Sequence, residues 1–137
     1  MRPEDIKIVK EQPPFLLQIV AAGMTPEPTT IYPYGSIIYN PSGLAIPPDI
    51  LVHELKHIAQ QGNNPKDWWE KYIIYKDFRF NQELEANQEQ YKFVCKVLKD
   101  RNDQARALLA IARNMAGEVY DLNADLYKIM EKIKCQN

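Results

Sequence analysis

Two histidines and a glutamate lie together in the segment His53-Glu54-Leu55-Lys56-His57. Residues four apart lie on one face of an α-helix, so His53 and His57 can direct their ring nitrogens at one point, as two zinc ligands must. Glu54, one step further round the helix, can take a proton from a water molecule that the metal activates and pass it to a leaving amine. The segment therefore predicts a zinc site with hydrolytic chemistry.

The histidine count makes this motif more specific. The chain contains only two histidines, and both lie in the motif. A five-residue match of this type arises by chance in roughly one chain in a few hundred of this size. The alternative interpretation is an amphipathic helix with two exposed histidines and an incidental glutamate. We favour the metal site.

The predicted site needs a third ligand, because a catalytic zinc ion usually has three protein ligands and one open position. No histidine remains for this role, and neither Cys95 nor Cys135 is suitably placed. A carboxylate further along the chain must therefore complete the site. The candidates are Glu83 and Glu85, on a predicted helix that a shorter helix and a turn separate from the motif, so that the two helices can cross.

The segment Glu83-Leu84-Glu85-Ala86-Asn87 resembles the downstream motif of the gluzincin metalloproteases. In that family a helical HExxH segment is followed by a helix that carries Glu-x-Glu-Ala-Asp or Glu-x-Glu-Ala-Asn. The resemblance implies that Glu83 is the third ligand, with Glu85 as the runner-up. It also implies that Asn87, in place of the commoner Asp, orients a ligating histidine.

The resemblance covers roughly residues 36–91 and extends to a strand before the motif helix. In such enzymes this strand, here at residues 36–40, binds an extended substrate along its edge. A Tyr or His beyond the motif holds the oxyanion in several zincins, which makes Tyr91 and Tyr120 candidates here. Small zincin-like domains of this layout occur in bacteria and phages, so the resemblance suggests such an origin.

The elements that must position these residues change in character along the chain. The ten prolines are concentrated before position 66, so the first third should be irregular and the rest helical. We expect an α+β fold, mainly helical, with a small N-terminal sheet packed on the motif helix. The predicted strands are residues 6–9 and 31–40, and the predicted helices are residues 15–20, 47–61, 64–73, 78–98, 103–116 and 121–134.

Composition limits the remaining possibilities. With 137 residues, the chain should form a single domain over residues 1–137. Lys and Arg number 17 against 18 Asp and Glu, which gives no support for binding nucleic acid or an anionic membrane. No segment predicts a secretory signal or a membrane anchor.

The two cysteines and the aromatic residues of the second helix have less specific interpretations. Cys95 and Cys135 fall on apolar stripes of predicted helices, so we expect buried free thiols and a cytoplasmic location. Trp68, Trp69, Tyr72 and Tyr75 form an aromatic stripe at helical spacing, which is more typical of a hydrophobic core than of a substrate pocket.

Two functions follow from the predicted zinc site. The first is a zinc-dependent peptidase with a peptide or protein substrate, in which His53, His57 and Glu83 hold Zn²⁺ and Glu54 is the general base. The second is a catalytically silent, zinc-stabilised interaction domain, whose cleft is shut by the C-terminal helices. A purely helical module without metal would require the motif to be accidental. The sequence does not predict an oligomeric state.

Overall fold

The computed structural model describes residues 5–134 as an α+β fold that is mainly helical, as predicted. Cys135 lies outside the described residues, and Cys95 is half-buried rather than buried. No helix within the described range is both long and apolar enough to cross a membrane. In chain order the elements are β1 (Lys7–Val9), α1 (Leu16–Ala21), β2 (Tyr32–Tyr34), β3 (Ile37–Tyr39), α2 (Pro48–Gln61), α3 (Pro65–Ile74), α4 (Lys76–Val97), α5 (Arg101–Ala116) and α6 (Leu126–Lys134).

The sheet has three strands in the order β1-β3-β2, with β1 parallel and β2 antiparallel to β3. The prediction of one strand over residues 31–40 is wrong, because the chain reverses at Gly35, whose φ of 58° favours glycine. The two halves of that segment are the neighbouring strands β2 and β3. Since β3 pairs on both sides, its edges are closed to a substrate, contrary to the prediction for residues 36–40.

Helix α2 carries the motif and packs mainly against α4, with β2 and α3 also in contact. It begins with Pro48, whose fixed φ suits the first turn, and it ends at Gly62, whose φ is 56°. The packing of β2 on α2 confirms that the small sheet lies on the motif helix. His53, Glu54 and His57 all lie on the buried face of this helix.

Helix α3 brings an aromatic core to one side of α2. Asn64 caps the helix as predicted, because its side chain accepts a hydrogen bond from the Asp67 N–H at 3.1 Å. Trp68, Trp69 and Tyr72 are buried together with residues of α1 and β2, which confirms that they belong to the core. The core prediction is wrong for Tyr75, which is exposed just after the end of α3.

Helices α5 and α6 form a second core against α4, built around Leu108, Met115 and Ile129. The predicted start of α6 at residue 121 is wrong, because Asp121 has a φ of 52° and the helix begins five residues later. The Asp125 carboxylate accepts hydrogen bonds from the next helical N–H groups, at Tyr127 and Lys128, and so acts as the N-cap.

Candidate metal centre

Three potential metal ligands converge between α2 and α4. His53 and His57 lie one turn apart on α2, and Glu83 faces them from α4. The His53 Nε2 atom lies 3.1 Å from Glu83 Oε1, and the His57 Nε2 atom lies 3.0 Å from Glu83 Oε2. One ligand atom from each residue lies within 4.8 Å of the others, and all three residues are buried. These residues are therefore close enough to hold a metal ion.

Two glutamine amides fix the orientation of the histidine rings. The His53 Nδ1 atom lies 3.1 Å from Gln90 Oε1, and the His57 Nδ1 atom lies 2.8 Å from Gln60 Oε1. Each amide is itself oriented, since Gln90 Nε2 donates to Asp49 and Gln60 Nε2 donates to the Gln82 carbonyl. Both Nδ1 atoms must therefore donate, which leaves both Nε2 atoms with a lone pair.

When both rings are neutral, this tautomer leaves only hydrogen-bond acceptors at the centre: the two Nε2 atoms and the carboxylate of Glu83. The two Nε2 atoms lie 3.1 Å apart, and each is equally close to an oxygen of Glu83. Lone pairs at such distances repel unless a cation or a proton lies between them. Two imidazoles and one carboxylate are a donor set that suits Zn²⁺, so the residues fit the metal that the sequence predicts.

Tyr72 is a partner of the centre that the sequence analysis assigned only to the core. Its hydroxyl donates a hydrogen bond of 2.6 Å to Glu83 Oε2. Burial and the nearby charge of Glu83 raise the pKa of Tyr72 well above its usual value, so that the hydroxyl keeps its proton. The aromatic core of α3 thereby holds the carboxylate in place.

Neither Glu85 nor Asn87 contacts the two histidines in the structure. Glu85 is exposed and lies outside the ligand group, where it accepts a hydrogen bond from Gln60 at 3.0 Å. Asn87 is buried, but it contacts no histidine nitrogen, because Gln90 and Gln60 occupy the two Nδ1 atoms. The implied role of Asn87 in orienting a histidine is therefore wrong.

Glu54 lies beside the ligand group without joining it. Its Oε1 atom is 3.8 Å from His53 Nε2, and its Oε2 atom is buried with no hydrogen bond. Burial raises the pKa of Glu54, His53 lowers it and the charge of Glu83 raises it, and together they bring the pKa to about 8. A carboxyl group that titrates near neutral pH is suited to accept and release a proton.

The charges of the ligands support one another. Burial alone would raise the pKa of Glu83, but the charge of a protonated His57 and the hydrogen bonds that protonated histidine rings donate from Nε2 outweigh it and hold the pKa well below its usual range. Burial alone would lower the pKa of His57, but Glu83 outweighs it and raises the pKa. Glu83 is therefore an anion at neutral pH, as a metal ligand must be.

A large cleft of about 510 Å³ reaches the centre from the side of His53 and Glu54. Its walls come from residues 27–31, from the segment that leads into α2, and from α5. A smaller cavity of about 30 Å³ lies on the side of His57 and is lined by the aromatic core. Tyr120 lines both spaces, whereas Tyr91 lines neither, so only Tyr120 could reach a bound substrate.

None of the family models, curated proteins and solved structures with which the chain was compared matches it.

We expect Glu54→Gln to stabilise the metal-free protein at alkaline pH. Ionising a carboxyl group whose pKa is raised in the folded protein destabilises the fold. This cost begins at about pH 4.3, the ordinary pKa, grows until the pH reaches the pKa of the folded protein, and stays constant above that pH. The amide removes this cost, so the melting temperature should rise by several degrees at pH 8 with chelator present and by little at pH 5. Calorimetry at both pH values checks this, and an equal effect at both would contradict it.

We expect Gln90→Leu to weaken zinc binding roughly 10–100-fold, because His53 loses the acceptor that fixes its ring. Competition with a chromophoric chelator measures the affinity. Proton and nitrogen NMR of the metal-free protein should also show that His53 no longer populates only the tautomer with a proton on Nδ1. An unchanged affinity would mean that packing alone orients the ring.

Proposed function

We propose that this protein is a zinc-dependent peptidase. The observation that carries the proposal is the position of Glu54, a buried carboxylate with an unpartnered oxygen that lies next to a buried group of two histidines and one carboxylate. A purely structural zinc site has no use for such a group, because an unpartnered carboxylate oxygen costs stability when it is buried.

In this proposal His53, His57 and Glu83 hold the zinc ion through two Nε2 atoms and a carboxylate. Zinc bound there supplies a Lewis acid that lowers the pKa of water and polarises a carbonyl group. Gln90, Gln60 and Tyr72 keep the ligands in position through the hydrogen bonds described above.

Glu54 would act as the general base and then as the general acid. Its pKa near neutrality allows it to accept a proton from the attacking water and to return that proton to the leaving amine. The large cleft ends at Glu54 and His53, which gives an extended peptide a route to this carboxylate. The cleft lining is mostly apolar and neutral polar, and its acidic side chains are Glu27, Asp49 and Glu54, so it suits a peptide backbone better than an anionic ligand.

Hydrolysis of a peptide mixture tests the proposal. Protein purified without added metal is first analysed for its metal content, then loaded with zinc and incubated with tryptic peptides of casein, and the products are identified by mass spectrometry. We expect one zinc ion per chain and cleavage that stops with a chelator and returns with zinc. Bound zinc without any cleavage would contradict the peptidase function.

The second candidate, a catalytically silent zinc-stabilised interaction domain, is favoured by the burial of the centre. The exposed fractions of His53, Glu54, His57 and Glu83 are only 2–5%. In that case zinc would raise the melting temperature strongly, and no peptide in the mixture would be cleaved. The same experiment therefore distinguishes the two functions.

A further inference from the structure

Two buried side-chain atoms of the described residues have no hydrogen-bond partner. They are Glu54 Oε2, an acceptor, and Asn87 Nδ2, a donor. Buried polar groups almost always have a partner, so an exception points to a ligand that supplies one. Both residues line the same large cleft. A ligand that carries an acceptor and a donor close together would satisfy both atoms.

Asn87 lies on the same face of α4 as two residues that contact the histidines, but its Nδ2 atom has no hydrogen-bond partner. Glu83, Asn87 and Gln90 recur at intervals of four and three residues, so they form one stripe on the helix. The first and last of these residues contact the histidines of α2. The exposed fraction of Asn87 is only 2%, yet its amide makes no contact of this kind.

Two outward-facing backbone groups of the sheet edge are already occupied and cannot hold a peptide backbone. The Pro33 carbonyl on β2 accepts hydrogen bonds of 2.8 Å from both Gln61 Nε2 and Trp69 Nε1. The Gly35 N–H donates to Gln61 Oε1 at 2.7 Å, so that one side-chain amide occupies the groups that an added strand would need. The central strand β3 has no free edge, and β1 does not line the cleft.

We propose that Asn87 contacts the substrate directly, by donating its amide N–H to a backbone carbonyl of the peptide in the cleft. This inference rests on the proposed peptidase function. A peptide backbone carries a carbonyl for Asn87, while the attacking water or the leaving amine supplies the donor for Glu54. Because Gln61 occupies the β2 edge at Pro33 and Gly35, a side-chain amide supplies a contact that strand pairing would otherwise make there. Ala107 and Ala110 of α5 also line this cleft, and their small side chains leave room for a backbone.

Two variants of Asn87 distinguish this contact from a role in orienting the histidines. Asn87→Leu removes the amide at similar size, and Asn87→Asp replaces the donor with an acceptor and restores the commoner residue of the resembling family. We expect the rate of casein-peptide hydrolysis below saturation to fall about tenfold for Leu and about a hundredfold for Asp, since a carboxylate repels a carbonyl oxygen. Zinc affinity should stay within threefold of wild type in both variants, and the melting temperature of the metal-free Leu variant should rise.

A second measurement does not depend on turnover or on the Asn87 variants. In the zinc-loaded Glu54→Gln protein, the side-chain amide signal of Asn87 should shift in nitrogen-proton NMR spectra when the casein peptides are added, and the Gly35 backbone amide should not.

The remaining results distinguish a failure of the Asn87 contact from a failure of the peptidase function. Hydrolysis by wild type together with an unimpaired Asn87→Leu variant overturns the inference and leaves the peptidase function standing. A tenfold loss of zinc affinity in Asn87→Leu, or full activity in Asn87→Asp, overturns the inference in favour of a role at the histidines. If wild type cleaves nothing but the Asn87 signal shifts, peptide binding stands and the proposed hydrolysis fails. If neither occurs, both are overturned.

Discussion

Glu54→Gln should bind zinc as tightly as wild type and hydrolyse peptides roughly 10²–10⁴-fold more slowly. The amide keeps the size of the side chain but can neither accept nor return a proton. Zinc binding should survive because Glu54 does not belong to the ligand group, and its nearer oxygen lies 3.8 Å from His53 Nε2. Steady-state kinetics with a peptide that wild type cleaves, and metal analysis of the same sample, measure the two effects separately.

A matched control for this variant is Glu70→Gln, which makes the same chemical change at an exposed position on α3. It should retain wild-type activity, because Glu70 lines neither the cleft nor the smaller cavity. The predicted gain in stability of metal-free Glu54→Gln makes misfolding a poor explanation for lost activity. Full activity of a zinc-loaded Glu54→Gln protein would exclude Glu54 as the general base.

The local rules of helix formation predicted much of the fold. Pro48 at the start of α2, Gly62 at its end and the Asn64 cap of α3 each satisfy a backbone requirement within a few residues, so the sequence alone is sufficient there. The β2–β3 hairpin was missed because Gly35 lies within a run of β-branched and aromatic residues that is typical of one strand. The start of α6 was missed because Asp121 and Asp125 can both cap a helix.

In the candidate site, too, the local geometry was predictable and the contacts between distant segments were not. His53, Glu54 and His57 lie within one helical turn, and their mutual geometry follows from helix periodicity. Glu83 and Glu85 were alternative third ligands on one predicted helix, but the structure buries Glu83 against α2 and exposes Glu85. Only the crossing of two helices decides which carboxylate turns inward, and this crossing depends on packing between distant segments.

The partners of the ligands were the least predictable part. Tyr72 lies eleven residues before Glu83, in an aromatic stripe that is typical of a core, and it belongs to that core while its hydroxyl contacts the carboxylate. Gln90 orients His53 from 37 residues away. A single sequence contains no signal that separates the Tyr72 hydrogen bond from the ordinary packing of a core aromatic residue. One sign that could have found Gln90 is its spacing of seven residues from Glu83, which places both on one face of α4.

Glu83→Gln should weaken zinc binding by more than the roughly 10–100-fold that loss of a supporting partner costs, because it removes a charged ligand from the centre. The fold should survive, since the amide still accepts the Tyr72 hydroxyl that now bonds Glu83 Oε2. Glu85→Gln is the matched control on the same helix. It should keep zinc affinity within a few-fold of wild type, because Glu85 reaches His57 only through Gln60.

Zinc titration of the two variants side by side measures the difference, with Tyr72→Phe as an intermediate case. If Glu85→Gln lost zinc and Glu83→Gln kept it, α4 would have to turn about its axis to bring Glu85 inward. Such a turn would also withdraw Gln90 from His53 and Asn87 from the cleft, because all of these side chains share one helix. The choice of the third ligand therefore decides the positions of Gln90 and Asn87 as well, and the titration tests the whole inner face of α4 at once.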